Sequence, residues 1–297
     1  MVHHNTCSLC LSSRIVSHLQ TTDHFLSRES FELFRCPDCG FIFTQDHPDE
    51  KNIGKYYESE NYISHNESAK GFSSWLYRFS RNLMVKKKKE IVSRFTRLNG
   101  GRILDIGSGN GFFLSVIKDS GWIAEGIEIN DKARNYSASR FGLKIIPPDQ
   151  ISSVPSASYD CITMWHALEH FEDPIGLASE IKRILKPGGS FIVALPNCSS
   201  FDGMYYKNFW AAYDVPRHLW HFTPPTFKMF AEKTGFQIKK IQSLPLDVFY
   251  ICILSEKYKG SGFHFLKGII KGKWFFTRTI FNKEKSSSLI YFLREKV

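Results

Sequence analysis

The sequence predicts an α/β fold in which a mostly parallel sheet carries helices on both faces. From Gly101 onward, short apolar segments alternate with helical ones, a pattern typical of that architecture. The expected strands are Arg102–Ile106, Ala124–Ile129, Cys161–Trp165 and Phe191–Leu195, and the expected helices are Phe112–Ser120, Lys132–Phe141 and Pro174–Leu185. The segment from Lys186 to Gly189 reads Lys-Pro-Gly-Gly, which indicates a helix stop and a turn into the next strand.

Length and composition indicate a globular protein with one large domain and a small accessory module. The 297 residues are 42% hydrophobic and 23% charged, which argues against a disordered or fibrous chain. No apolar run approaches the roughly 20 residues of a spanning helix, and the amino terminus lacks a signal-peptide pattern, so we expect a cytosolic protein. The net charge of +10 would suit RNA, an anionic membrane surface or a phosphorylated substrate, and charge alone does not choose among them.

Two C-x-x-C pairs near the amino terminus predict a small metal-binding head over residues 1–50. Each pair can offer two thiolates to one tetrahedral ion. The four residues are Cys7, Cys10, Cys36 and Cys39. Sulfur would fill all four positions, so we expect a structural zinc ribbon whose metal supplies folding free energy to a head too small for a core of its own. The alternative is a set of reduced core cysteines.

Residues 51–99 are expected to form a helical linker or cap over the next domain. Seven apolar residues recur there at roughly helical spacing. They are Trp75, Leu76, Phe79, Leu83, Ile91, Val92 and Phe95. Among them lies a run of four lysines, Lys86–Lys89, which we interpret as a solvated helix face, with nucleic-acid or membrane contact as the alternative.

A glycine-rich loop follows the first strand of the larger domain. Asp105 ends that strand, and Gly-x-Gly-x-Gly leads into a helix at the carboxyl edge of the sheet, where open α/β sheets bind ligands. Glu128 ends the next strand, where a carboxylate can accept both hydroxyls of a ribose. Nicotinamide and flavin enzymes use similar loops, but the dinucleotide fingerprint is G-x-G-x-x-G, whereas Gly107, Gly109 and Gly111 stand at alternate positions.

With these motifs, the chain from about Gly100 resembles the class I S-adenosylmethionine-dependent methyltransferases. Tyr159–Pro174 is similar to the fourth-strand motif of that family, and Leu185–Gly189 to its turn before strand five. The resemblance implies a Rossmann-like seven-stranded mixed sheet over residues 100–297, with S-adenosylmethionine as cofactor. The implied cofactor-binding residues are Asp105, Gly107, Ser108, Gly109, Gly111, Glu128, Met164 and Trp165.

Within that family, the chain is similar to small-molecule methyltransferases such as the ubiquinone-biosynthesis O-methyltransferases. Asp214–Pro224 looks like the segment after strand five in that group. The resemblance implies a small acceptor, for which a sugar or lipid-linked intermediate is our expectation. Catalysis should need positioning of the acceptor and removal of one proton. The candidate bases or substrate contacts are His166, His218 and His221.

Two further polar residues near these histidines are expected to have structural roles, one of them with a functional alternative. We expect His170 to make a structural hydrogen bond that fixes its loop. Arg217 could bind a substrate carboxylate or phosphate, or form an ion pair with Asp214.

Two other functions stay open. Zinc ribbons often bind nucleic acid, which favours an RNA methyltransferase, although acidic residues offset the few cations of the head and the base-methylation motifs are missing. A non-catalytic adaptor that binds the cofactor without turnover is the second alternative.

The last third of the chain should complete the sheet around an insertion near residues 250–285. We expect a helix over Thr226–Thr234 and strands over Gln237–Ser243 and Leu289–Leu293. The insertion alternates cations with aromatic and aliphatic residues. This pattern would suit docking on an anionic bilayer or holding a lipid-linked substrate, or an ordinary helix that covers the substrate.

Overall fold

The computed structural model describes residues 1–57, 72–244 and 246–296, and within 72–80 it describes the backbone only. The strands are β1 (Val16–Thr22), β2 (Ser30–Arg35), β3 (Ile42–Thr44), β4 (Gly101–Ile106), β5 (Trp122–Ile127), β6 (Lys144–Ile146), β7 (Tyr159–Trp165), β8 (Leu185–Pro196), β9 (Trp220–His221), β10 (Phe236–Ser243) and β11 (Ser288–Glu295). The helices are α1 (Phe72–Thr96), α2 (Phe112–Lys118), α3 (Asp131–Phe141), α4 (Pro174–Ile184), α5 (Phe201–Tyr206), α6 (Pro224–Lys233), α7 (Asp247–Tyr258) and α8 (His264–Thr279).

A seven-stranded mixed sheet forms the larger unit, as the family resemblance implies. Its strand order is β10-β11-β8-β7-β4-β5-β6. The five strands from β8 to β6 are parallel, and β11 runs antiparallel to both β8 and β10. The chain leaves β4 towards β5 on one side and returns to β7 on the other, so the carboxyl end of β4 is the switch point at which such sheets bind ligands.

Strand β7 and the part of β8 from Gly189 onward are almost fully buried, because both faces of the sheet are covered. The Lys-Pro-Gly-Gly segment differs from the predicted turn. It lies within β8 as a bulge, since Tyr159 pairs with Leu185 while Cys161 pairs with Ser190. Gly188 allows this irregularity with a φ of +73°.

The cysteine head, residues 1–50, shares its sheet with the larger unit. Strands β1, β2 and β3 are followed in that four-stranded sheet by β9, which comes from the segment after β8. The Thr44 hydroxyl donates to the His218 carbonyl at 2.7 Å, and the Lys233 ammonium donates to the Leu9 carbonyl at 2.7 Å. The head is therefore joined to the rest of the chain by backbone pairing as well as by side chains.

Helix α1 lies within the range expected for the helical linker or cap, and its lysine run has a mixed environment. Ile91 and Val92 are buried, whereas Leu83 is exposed. Lys86 faces solvent, but the Lys88 ammonium lies 4.8 Å from the centroid of the Trp165 ring. The expectation of a uniformly solvated face is therefore wrong at Lys88. The side chains of the predicted apolar residues Trp75, Leu76 and Phe79 lie outside the described residues, as does the part of the predicted linker from residue 58 to residue 71.

The insertion between β10 and β11 is a pair of helices, α7 and α8, which we call the helical hairpin. Gly268 and Gly272 let the two helices approach closely. A Cβ atom at Gly268 would lie 2.5 Å from the Ile253 Cα, and one at Gly272 would lie 2.8 Å from the Phe249 ring. Among the described helices, none combines the length and apolar character that a bilayer crossing requires.

Candidate active site

The glycine loop joins β4 to α2 at the switch point. Gly107, Gly109 and Gly111 have φ values of +79°, +53° and +74°, a left-handed backbone that favours glycine. The amides of Gly107 and Ser108 donate to the Ile127 carbonyl at 2.8 and 3.0 Å. A Cβ atom on Gly107 would lie 2.6 Å from that of Ala167, so the loop packs tightly against the segment that follows β7.

Glu128 holds the outer side of this loop. Its Oε2 accepts a hydrogen bond from the Gly109 amide at 2.8 Å, and its Oε1 accepts one from the Asn130 amide at 2.9 Å. A Cβ atom built on Gly109 meets no described atom within 4 Å. Beside the partly exposed Glu128 carboxylate, the loop is therefore open to a ligand.

Beneath the loop, Asp105 is buried and accepts a hydrogen bond from the Thr163 hydroxyl at 2.6 Å. Burial raises the pKa of Asp105 to about 7, although the Thr163 hydrogen bond and the charge of Lys88 both act to lower it. Burial also lowers the pKa of Lys88, which the charges of Asp105 and Asp247 act to raise. Sequence reasoning missed Lys88 because it stands in a run of four lysines.

Met164 and Trp165, at the end of β7, have different surroundings. The Met164 side chain is fully buried in the core of the sheet. The Trp165 ring packs edge-on against Phe113, with ring centroids 5.6 Å apart. Its Nε1 is buried and has no hydrogen-bond partner within the described part of the chain, so it could donate to a ligand.

An imidazole cluster, which we define as Glu169, His166, His170 and His218, combines the segment after β7 with His218 from the segment before β9. Glu169 is only 1% exposed, and neither of its carboxylate oxygens has a hydrogen-bond donor among the described residues. Its Oε1 lies 3.7 Å from His166 Nδ1 and 3.9 Å from His218 Nε2. Burial acts to raise the pKa of Glu169, but the three imidazoles bring it below its ordinary value. Such a buried carboxylate requires a proton, a cation or a ligand close by.

His166 is the cationic member of the imidazole cluster. Its Nε2 lies 2.9 Å from an Asp247 carboxylate oxygen, at the first residue of α7. Burial acts to lower the pKa of His166, but Asp247 and Glu169 together raise it to about 9. At neutral pH His166 is therefore an imidazolium, which can stabilise negative charge but cannot accept a proton.

His170 and His218 are each held through one ring nitrogen. His170 Nδ1 donates to the Arg217 carbonyl at 2.9 Å, the structural hydrogen bond that was expected. Burial and the charge of His218 lower the pKa of His170 to about 4. His218 Nδ1 donates to the Ala212 carbonyl at 2.9 Å, because a carbonyl can only accept. In the neutral ring this leaves His218 Nε2 as an acceptor that faces Glu169.

The structure places the third predicted histidine elsewhere. His221 lies in β9, with its Nε2 3.0 Å from the Thr44 hydroxyl and its ring 5.2 Å from that of Tyr213. Burial lowers its pKa well below the ordinary value. The imidazole cluster therefore brings His166 and His218 together, and His221 is held in the four-stranded sheet.

Arg217 forms the ion pair that was one of its two expected roles. Its guanidinium donates to Asp214 at 2.7 Å and to Asp23 of the cysteine head at 2.9 Å. It also donates to the Tyr56 carbonyl at 3.0 Å and is 1% exposed. These contacts occupy the guanidinium fork and connect the larger unit to the cysteine head. Sequence reasoning missed Asp23, which carries no local signal of this contact.

Two groups of side chains in the described ranges have ligand atoms close enough to hold a metal ion. In the first, the Sγ atoms of Cys7 and Cys39 are 3.6 Å apart and those of Cys10 and Cys36 are 3.5 Å apart, and all four are free thiols. Sulfur ligands about 2.3 Å from a tetrahedral zinc ion would lie about 3.8 Å apart, so the four cysteines fit that metal. The second group is Glu169, His170 and His218.

Comparison with known proteins identifies a family over the central part of the chain. Residues 76–241 match a family model described as a methyltransferase domain. A probable S-adenosylmethionine-dependent methyltransferase from Mycolicibacterium smegmatis is 26% identical over 124 residues, which are 41% of this chain and 48% of that protein. A ubiquinone biosynthesis O-methyltransferase from Nitrosospira multiformis is 28% identical over 105 residues, 33% of this chain and 44% of that one. The chain thus spans a little under half the length of these relatives.

A solved structure confirms the fold. Phosphoethanolamine N-methyltransferase 2 from Haemonchus contortus, in complex with S-adenosyl-L-methionine, superposes with a TM-score of 0.54 and is 14% identical. The superposition covers 95% of this chain and 69% of that protein. At this level of identity the likeness establishes the shared architecture of the seven-stranded sheet.

Proposed function

Because this chain belongs to the methyltransferase family whose model matches residues 76–241, we propose that it transfers a methyl group from S-adenosylmethionine to a small-molecule acceptor. The observation that carries the proposal is the arrangement at the carboxyl end of β4. Three left-handed glycines and the Glu128 carboxylate form a cradle there that is open beside Gly109. This is the position at which open α/β sheets hold a nucleoside.

The residues of the cradle fit the parts of the cofactor. We assign Glu128 to the ribose hydroxyls, because its oxygens already accept from two amides and stay partly exposed. The other proposed cofactor-binding residues are Asp105, Gly107, Ser108, Gly109, Gly111, Met164 and Trp165. Trp165 can add its unpaired Nε1–H, whereas the buried Met164 side chain leaves only its backbone for this purpose. When bound, the cofactor supplies an electrophilic methyl group on a sulfonium.

Proton transfer is assigned to His218. Its Nδ1–H is held by the Ala212 carbonyl, so Nε2 is the free acceptor. In the proposed reaction, His218 Nε2 would take the proton that the acceptor atom loses when it is methylated. Glu169, 3.9 Å away, would then stabilise the new imidazolium, while His166, 3.7 Å from the same carboxylate oxygen, supplies a fixed positive charge. His221 is left with a structural role.

The cysteine head lies beside the candidate active site and stabilises the position of Arg217. We propose that Cys7, Cys10, Cys36 and Cys39 hold one zinc ion, since their sulfurs lie within 4.8 Å of one another. All four ligand positions would be sulfur, so this metal would stabilise the fold and take no part in methyl transfer. The head in turn holds Arg217 through Asp23, and the Arg217 carbonyl orients His170.

The acceptor class is supported by one relative and by one contact. The relative from Nitrosospira multiformis is named for ubiquinone biosynthesis, a small-molecule pathway. The contact is that of Asp247 with His166, which brings the aromatic-rich helical hairpin to the edge of the site. We therefore favour a sugar or lipid-linked intermediate over RNA.

The test is transfer of tritium-labelled methyl groups to three acceptor fractions: sugar nucleotides, polar isoprenoid lipids and total RNA. Label should enter one of the first two fractions. His218→Asn should lower kcat by about 100-fold to 10,000-fold while cofactor affinity stays unchanged. The exposed His264 provides the matched control, because His264→Asn should leave both values unaltered. Label confined to RNA would overturn the acceptor class, and cofactor binding with no transfer to any fraction would indicate an adaptor.

A further inference from the structure

Helix α8 turns an apolar face to solvent. Its buried side consists of Gly268, Gly272 and Phe275, which face α7 and α5. Six large apolar residues of the helix are exposed by 36% to 59%, namely Phe265, Leu266, Ile269, Ile270, Trp274 and Phe276. Phe263 before the helix and Phe281 after it are 85% and 92% exposed. We call this surface the α8 face. Single exposed apolar residues are ordinary on proteins, but a continuous set of this size marks a contact site.

The charge around the α8 face has one sign. From Lys257 to Lys283 the sequence contains no aspartate or glutamate. The exposed cations of this stretch are Lys257, Lys259, Lys267, Lys273, Arg278 and Lys283. The remaining cation, Lys271, is already neutralised by the buried Glu256 carboxylate at 2.6 Å. Whatever covers the α8 face must therefore accept exposed apolar side chains together with the positive charges beside them.

We propose that the α8 face docks into the interface of an anionic lipid bilayer. A helix that lies in a bilayer interface combines leucine and aromatic residues on one side with lysine and arginine beside them. Aliphatic residues such as Leu266 and Ile270 penetrate the acyl boundary, and the flanking cations pair with anionic headgroups. The glycine contacts with α7 fix the orientation of the helix, so the apolar face is already formed before docking. A nucleic acid would match the cations but not the aliphatic centre of the face.

The docking surface is connected to the candidate active site. Asp247 begins α7, the partner of α8 in the helical hairpin, and pairs with His166 at 2.9 Å. A hairpin seated on a membrane would hold this edge of the imidazole cluster close to the lipid surface. The docking itself does not rest on the proposed function, because it depends only on the α8 face and its charge.

The experiment is co-sedimentation of the full-length protein with two kinds of vesicle. One is phosphatidylcholine alone, and the other is phosphatidylcholine with phosphatidylglycerol in a ratio of about two to one. The protein should bind the anionic vesicles, and raised salt should weaken this binding by screening. The double variant Leu266→Glu, Ile270→Glu should lose about tenfold or more of the binding, because it places carboxylates where the face enters the lipid. The double variant Lys267→Gln, Lys273→Gln should lose about fivefold for each cation.

The matched control is Ile123→Glu, which changes an apolar residue of similar exposure in β5. It should bind vesicles as the wild type does, and circular dichroism should show all variants folded. The proposal is overturned by equal vesicle binding of wild type and the Leu266→Glu, Ile270→Glu variant, or by no binding to anionic vesicles. It is equally overturned if sedimentation velocity shows a dimer that this variant dissolves, or if RNA binds and anionic vesicles do not. None of these outcomes depends on methyl transfer, so failure here is distinguishable from failure of the proposed function.

Discussion

Arg217 should be the side chain whose removal most weakens the attachment of the cysteine head. It is buried and bridges two carboxylates, Asp214 at 2.7 Å and Asp23 at 2.9 Å. Breaking a buried ion pair from one side costs about 3–5 kcal/mol, because it leaves a buried charge unpaired. Asp23 keeps three backbone donors at 2.9 to 3.1 Å, which compensate part of that charge. We therefore expect Arg217→Met to lower the free energy of unfolding by about 3 kcal/mol, the lower end of that range.

Urea unfolding followed by tryptophan fluorescence measures this loss. Arg94→Met is the control, because Arg94 makes an exposed ion pair with Glu90 and should change stability by less than about 0.5 kcal/mol. The double variant Arg217→Met, Asp23→Asn should be less destabilised than the sum of the two single variants, since the second change removes the charge that the first leaves unpaired. A loss below about 1 kcal/mol for Arg217→Met, or simple additivity in the double variant, would show that Arg217 does not hold the cysteine head through a buried ion pair.

Two further predictions concern the cysteines and the buried aspartate. The purified protein should carry one zinc ion per chain, and Cys36→Ser should lose both the metal and the cooperative unfolding of the head. The control Cys161→Ala changes a cysteine outside the cluster and should keep the zinc. Equal metal content in the two variants would contradict the zinc ribbon. The second prediction concerns Asp105, whose pKa is raised to about 7 in the folded protein. Between about pH 4 and pH 7 the folded state keeps a proton that the unfolded chain releases, so the free energy of unfolding falls as the pH rises through this range. A pKa shift of roughly three units corresponds to a loss of about 4 kcal/mol in the free energy of unfolding, and Asp105→Asn should remove this loss. Identical pH dependence of urea unfolding in variant and wild type would contradict the raised pKa of Asp105.

The sequence predicts the larger unit well because its signals are local. Strands such as β7 and β8 are buried on both faces and therefore appear as short apolar runs. The alternate glycines require a left-handed backbone at defined positions, and that requirement can be read without knowledge of the rest of the fold. The cradle that we propose for the cofactor is thus visible in the sequence as far as Glu128.

The rest depends on contacts between distant segments. Lys88 cannot be distinguished from its neighbours by composition, and only the position of α1 over β7 brings it to Trp165. Asp247 reaches His166 from an insertion 81 residues further along the chain. His221 is close to His218 in the sequence, but the pairing of β9 with β3 places His221 in the four-stranded sheet. Periodicity and turn chemistry carry no information on such long-range pairing.

The proposed cofactor site is tested by calorimetric titration of S-adenosylmethionine into wild type and Glu128→Ala. We expect a measurable affinity for the wild type and a loss of about 100-fold or more in the variant, because the two proposed charge-assisted hydrogen bonds to the ribose would disappear. Glu284→Ala, a change at an exposed glutamate, should bind as the wild type does. Unchanged affinity in a folded Glu128→Ala variant would contradict the assignment of the glycine loop and Glu128 as the cofactor site.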